Sequence, residues 1–125
     1  MEKTELILGL VEGRHPLPVE SYVFGEIQNV LDFDALNKGV EEKLANVNGN
    51  KERLTVYVTG LTAATASIIS YCASKGIELT SMHFDRESGA YLPQVVVSEA
   101  AALRQRIAPA VCDYYYFMTG EQCLP

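Results

Sequence analysis

Leu54-Thr55-Val56-Tyr57-Val58-Thr59-Gly60-Leu61-Thr62 is the stretch that decides the fold. Its first five residues are β-branched, aromatic or aliphatic, the composition of a buried strand. Gly60 then allows a sharp turn. Immediately beyond it, Ala64, Ile68 and Cys72 recur at helical spacing, with Leu61, Thr65 and Ile69 beside them. Thr62 is placed to cap the start of that helix, and Gly76 sits where a left-handed C-cap belongs. The helix is apolar over much of its surface, so it is expected to pack against the sheet. A strand that passes straight into a helix is the building unit of α/β folds.

Working outward, Leu6 to Val11 is a short continuous apolar run that stops at Glu12-Gly13-Arg14-His15-Pro16, and it reads as a central strand. Pro16 and Pro18 make an extended loop, and Tyr22-Val23-Phe24 is a weaker second strand. Phe33, Leu36, Val40, Leu44 and Val47 form one helical stripe, with Asp32 as its N-cap. On the other side, Ile77 to Phe84 is a further central strand. Residues 85–89 make a hairpin connection and Tyr91 to Val97 the return strand, which Pro93 confines to an edge. Ser98 caps a last helix whose apolar side is Leu103, Ile107, Val111, Tyr114 and Met118, and Pro109 is expected to kink or split it. Strand–helix alternation with short connections implies parallel pairing. The reading is one domain over residues 1–125: a small three-layer, Rossmann-like α/β sandwich, mostly parallel, with an antiparallel edge hairpin.

The chain has 125 residues, 48% of them hydrophobic, which suffices for a core without disulfide or metal staples. Its net charge of −6, with the basic residues scattered, argues against direct binding to a phosphate backbone. Cys72, Cys112 and Cys123 form no CxxC or Cys–His pair, so neither a disulfide framework nor a metal site is expected, and Cys72 reads as a core residue. The start Met1-Glu2-Lys3-Thr4-Glu5 lacks the shape of a signal peptide, and no apolar run approaches a membrane span. A cytoplasmic protein is therefore expected, and no residue pattern calls for a cofactor.

In open α/β sheets, ligands bind beyond the carboxyl ends of the strands. That rule brings together Glu12, Gly13, Arg14 and His15 after the first strand, Thr59, Gly60 and Thr62 after the second long strand, and His83, Asp85 and Arg86 after the third. The Thr59–Thr62 turn offers hydroxyls beside a helix N-terminus, whose free N–H groups suit a phosphate or carboxylate. Equally, Thr62 could simply cap its helix and Gly60 simply make the turn. Glu12, Arg14 and Asp85 are further ligand-binding candidates. His15 and Arg14 are the candidates for acid/base chemistry and charge stabilisation, against a plain Glu–Arg ion pair on a solvated loop. His83 reads as a sheet-face histidine, and Asp85-Arg86-Glu87 as a charged hairpin tip. Tyr114, Tyr115 and Phe117 lie in an aromatic run that cannot all face one core, which points to a dimer or partner interface.

The segment Leu54 to Gly76, with its Thr-Gly-Leu-Thr turn, resembles one element of the CRISPR-associated Rossmann-fold (CARF) sensor domains. Those commonly carry a Thr-Gly-Gly-Thr type loop there and bind cyclic oligoadenylates across a dimer. By that resemblance Thr59, Gly60 and Thr62 would be ligand-loop positions. Leu61 departs from the pattern, replacing the second glycine, and no lysine follows the loop. The chain also looks like small proteins of bacterial mobile elements. Three functional expectations follow. The first is a binding domain for a nucleotide-like or anionic small ligand, expected as a homodimer. The second is a protein-interaction module or inhibitor carried by a mobile element. The third is a phosphodiesterase-type enzyme working in the same crevice.

Overall fold

The computed structural model describes residues 2–13 and 16–120, with the backbone alone described at 109–116. The elements, in chain order, are β1 (Thr4–Val11), β2 (Tyr22–Phe24), α1 (Phe33–Leu44), β3 (Glu52–Tyr57), α2 (Thr62–Lys75), β4 (Leu79–Asp85), β5 (Ala90–Val97) and α3 (Glu99–Thr119). The strands form one sheet in the order β2-β1-β3-β4-β5. All neighbours are parallel except β4 and β5, so the α/β class, the mostly parallel sheet and its antiparallel edge are as the sequence implies.

The register explains which residues make the core. Leu6 pairs with Leu54, which pairs with Leu79, and Leu8 pairs with Val56, which pairs with Ser81. Paired residues share a face, so Leu8, Leu10, Leu54, Val56 and Leu79 lie together. They are buried with Leu36, Val40 and Leu44 of α1, Ala64, Ile68 and Cys72 of α2, and Ala102 of α3. The three helices stand side by side, α1 against α2 and α2 against α3. On the opposite face Thr55 donates to Glu5 at 3.0 Å and Arg53 pairs with Glu5 at 3.4 Å, while Ile7 and Val95 stay exposed.

Several local expectations hold. Asp32 accepts a hydrogen bond from the Ala35 N–H at 3.2 Å, and Ser98 accepts one from Ala101 at 3.1 Å. Gly76 takes a left-handed conformation (φ 70°) and donates its N–H to the Cys72 carbonyl, closing α2. β5, with Pro93, is an edge strand.

Four others are corrected. Phe33 is 58% exposed, because α1 buries only the stripe Leu36–Val40–Leu44 one turn further on. Thr62 does not cap α2: it is the first helical residue, the N-cap position belongs to Leu61, and no side chain caps this helix. Of the two outcomes expected at Pro109, a kink or a split, the split does not occur, since the helical backbone of α3 is continuous from Glu99 to Thr119. Nor does its apolar side face the body. Leu103 and Ile107 are each 48% exposed, whereas Ala102 is fully buried and Arg106 partly so. The reason is that α3 docks on the C-terminus of α2, where the free Gly76 carbonyl calls for a donor such as Arg106 rather than an aliphatic side chain. Among the described residues no helix is long and apolar enough to cross a membrane.

Candidate functional site

β1, β3 and β4 run parallel, so the residues that follow them emerge at one edge of the sheet. A cavity of about 870 Å³ opens there. That lies within the range of small-molecule sites, which span roughly 300–1,000 Å³.

The first wall is the β3–α2 connection. β3 keeps its pairing as far as Val58, whose N–H donates to the Met82 carbonyl at 3.1 Å. Gly60 then adopts φ 84°, a left-handed conformation that a side chain would strain, and nothing lies within 4 Å of where its Cβ would be. The glycine thus turns the chain and leaves the space above it open. Thr59, Gly60 and Thr62 all line the cavity. The Thr59 hydroxyl oxygen is sealed from solvent and has no hydrogen-bond partner among the described residues. Burying a hydroxyl unpaired costs about 1–3 kcal/mol, so such an atom calls for an explanation.

The second wall is the first half of α2. Thr62, Thr65, Ala66 and Ile69 recur at helical spacing along the cavity. α1 and α3 carry a capping side chain and an acidic residue in the first turn, whereas α2 has neither. Its free N–H groups and the positive end of its dipole are therefore unneutralised by the chain itself.

The third wall comes from the β4–β5 hairpin. Phe84 pairs across the strands with Tyr91, their ring centroids 5.4 Å apart, and Tyr91 meets Tyr57 edge-on at 4.8 Å. His83 Nε2 lies 2.8 Å from Gln94 Oε1, within hydrogen-bond distance. Arg86 is exposed and has no ion pair among the described residues. Pro16 and Leu17 close the side nearest β1.

The charge pattern runs against that of the chain. The protein has sixteen acidic residues against ten basic ones, yet among the described residues no Asp or Glu lines this cavity, while Arg86 and His83 do. Among the described residues no three His, Cys, Asp or Glu side chains converge as metal ligands would. The site can hold an anion by helix dipole, hydroxyls and guanidinium, and it can hold an apolar or flat group against the hairpin.

Of the other candidates, Glu12 is exposed just past β1, its N–H donating to the Phe24 carbonyl at 3.1 Å, and it does not line the cavity. Arg14 and His15 lie outside the described residues. Asp85 ends β4 and turns into its own hairpin, accepting from the Glu87 N–H at 3.2 Å. The Ser88 hydroxyl, then the Glu87 and Ser88 backbone N–H groups, hold its carboxyl below the usual range. The side chains of Tyr114 and Tyr115 are outside the described residues, and Phe117 is 83% exposed. Sequence reasoning brought His83 and Arg86 to this edge of the sheet, while weighing them as a sheet-face histidine and part of a charged hairpin tip, and both line the cavity; it missed Phe84, Tyr91 and the Thr65–Ile69 part of α2. The hairpin register was the available signal, since it sets Phe84 opposite Tyr91 at the mouth of the crevice.

Comparisons with protein-family models, curated proteins and solved structures return no match to this chain.

Proposed function

We propose that the protein is a binding domain for a small, nucleotide-like anionic ligand, seated beyond the ends of β3 and β4. The observation that carries this reading is the electrostatic contrast of the cavity among the described residues: an uncapped helix N-terminus, Arg86 without an ion pair and no carboxylate, in a chain of net charge −6. Thr59 also lines the cavity, and its hydroxyl, sealed and without a partner among the described residues, needs only a side-chain rotation to meet a ligand oxygen. The resemblance of the Thr59–Thr62 loop to the CARF sensor loop favours a nucleotide among anions. A thermal-shift screen against nucleotides, cyclic oligoadenylates included, tests the reading. A ligand at a hundred times its Kd stabilises the folded state by about 2.7 kcal/mol, a shift of several degrees for a domain of this size. The expected result is a shift that Thr59→Val abolishes, and silence across all anions would remove the reading.

A second reading, as an interaction surface, is favoured by α3. Leu103, Ile107, Phe117 and Met118 are exposed large hydrophobic residues on a helix whose docking residues are elsewhere. Pairing of two copies through this face is the form it takes. Sedimentation of wild type against Phe117→Asp checks it: a dimer that the substitution dissociates supports the interface, and a wild-type monomer at all concentrations ends it.

A further inference from the structure

The aromatic wall of the cavity lies apart from the anion-binding wall, and it has chemistry of its own. Phe84 and Tyr91 are cross-strand partners whose ring centroids lie 5.4 Å apart with the planes tilted by 58°, and Tyr57 meets Tyr91 edge-on. Phe84 is nevertheless 55% exposed. An aromatic side chain left open at the lip of a cavity, beside a half-buried aromatic partner, offers its ring to a ligand. The spacing matters too. β4 lies between β3 and β5 and neighbouring strands stand about 4.8 Å apart, so the backbones at Thr59, just past β3, and Tyr91, on β5, are about 10 Å apart across the sheet. A bare phosphate or sulfate has no ring to lay on the aromatic wall. A ligand that reaches both carries its anionic group at one end and a flat ring at the other.

We infer that the β4–β5 hairpin is a ring-binding subsite: Phe84 and Tyr91 stack a planar aromatic group, such as a nucleobase, of the ligand whose anionic end meets α2. This rests on the proposed anion site and adds to it the part of the ligand that decides specificity. Base–aromatic stacking is tolerant of base identity, so the hairpin selects for the presence of a ring before it selects among rings. Arg86, at the same hairpin and without an ion pair among the described residues, lines the same cavity and would serve the anionic end of such a ligand.

Calorimetric titration with ribose 5-phosphate and with purine nucleoside 5′-monophosphates separates the two ideas. The expected result is that wild type binds the monophosphates at least tenfold more tightly than ribose 5-phosphate. Tyr91→Leu should reduce that preference to less than threefold without weakening ribose 5-phosphate, and Tyr91→Phe should keep it. Where Tyr91→Leu does not fold, as circular dichroism would report, Phe84→Leu on the same wall makes the same test. Equal binding of both ligands to wild type would overturn the ring subsite and leave the anion site standing. Binding of neither would remove the anion site and the ring subsite together. A ring preference that survives both leucine variants would overturn the assignment to the hairpin.

Discussion

Arg106 donates from Nη1 to the Gly76 carbonyl oxygen at 2.7 Å and from Nε to Asn50 Oδ1 at 2.9 Å, so one side chain of α3 ties the end of α2 to the turn before β3. The Gly76 carbonyl belongs to the left-handed cap that ends α2, and the rise of the α-helix leaves such groups without partners in the chain that made them. Gln105, one residue earlier, donates to the Ser74 carbonyl at 3.2 Å and serves the same helix end. Arg106→Ala should destabilise the protein by about 1.5–3 kcal/mol, the usual worth of hydrogen bonds from a charged donor. Arg106→Lys should recover little of it, because an ammonium cannot serve both acceptors with the geometry of a planar fork. Urea unfolding of the three proteins measures this directly.

The two threonines of the β3–α2 connection should respond differently from a true cap. Thr59→Val removes a hydroxyl that is buried without a partner and keeps the shape of the side chain. The ligand-free protein should therefore be unchanged or gain up to about 1 kcal/mol, since an unsatisfied buried hydroxyl carries a desolvation cost. Thr62→Val changes an exposed first-turn residue that caps nothing, and should stay within about 0.5 kcal/mol of wild type. Asp32→Ala, by contrast, removes the hydrogen bond to the Ala35 N–H and should cost about 1 kcal/mol. Chemical denaturation of the ligand-free variants reads these signs, and a loss at Thr62 equal to that at Asp32 would return Thr62 to the role of a cap.

What could be read from the chain alone divides along physical lines. Leu6 to Val11 and Leu54 to Val58 were legible as strands because aliphatic, β-branched and aromatic residues gather there in short runs bounded by turn residues, although the helices cover only one face and Ile7 stays exposed on the other. Asp32, Ser98 and Gly76 were legible because caps are local chemistry, settled within three or four residues. Thr62 was misplaced by one position because Gly60, turning through φ 84°, hands the N-cap to Leu61, and a cap one residue out of phase is invisible to composition. The outward face of α3 was not legible, since helical periodicity marks an apolar stripe without saying whether this chain covers it. The site was half visible: Thr59 and Gly60 followed from the strand-end rule, whereas Phe84 and Tyr91 become one surface only through the register of β4 on β5.

Core and surface aliphatic residues should separate cleanly. Leu10 is fully buried among α1, β3 and β2 residues of the core, and Leu103 is half exposed on α3. Leu10→Ala should cost about 2–5 kcal/mol, from lost burial and the cavity left behind. Leu103→Ala should change stability by no more than about 0.5 kcal/mol in a dilute monomer. A large loss at Leu103 that grows with protein concentration would instead report that the residue is covered by a second copy, because only an interface makes stability concentration-dependent. Thermal unfolding at two concentrations a hundredfold apart distinguishes these cases.

Cys72 makes stability depend on alkaline pH. It is fully buried on α2, and burial pushes its thiol up to about 12 from an ordinary value near 9.0. As pH rises past 9 the unfolded chain gives up this proton while the native protein keeps it until about 12. The native state then holds more protons than the unfolded state, so stability must fall with pH across that window and be unaffected below it. Tyr71 adds a slope of the same sign, its hydroxyl raised first by burial, then by the charges of Cys72 and Glu41. Unfolding free energies measured from pH 8 to 11 should therefore decline more steeply in wild type than in Cys72→Ala, whatever the offset that substitution introduces at pH 8. Thiol labelling gives an independent readout: in a Cys112→Ser, Cys123→Ser background, Cys72 should react only as fast as the protein opens, since a buried neutral thiol is a poor nucleophile. Parallel slopes in the two proteins, or labelling of the folded protein at the rate of a free thiol, would mean that Cys72 is neither sealed nor held neutral by the core.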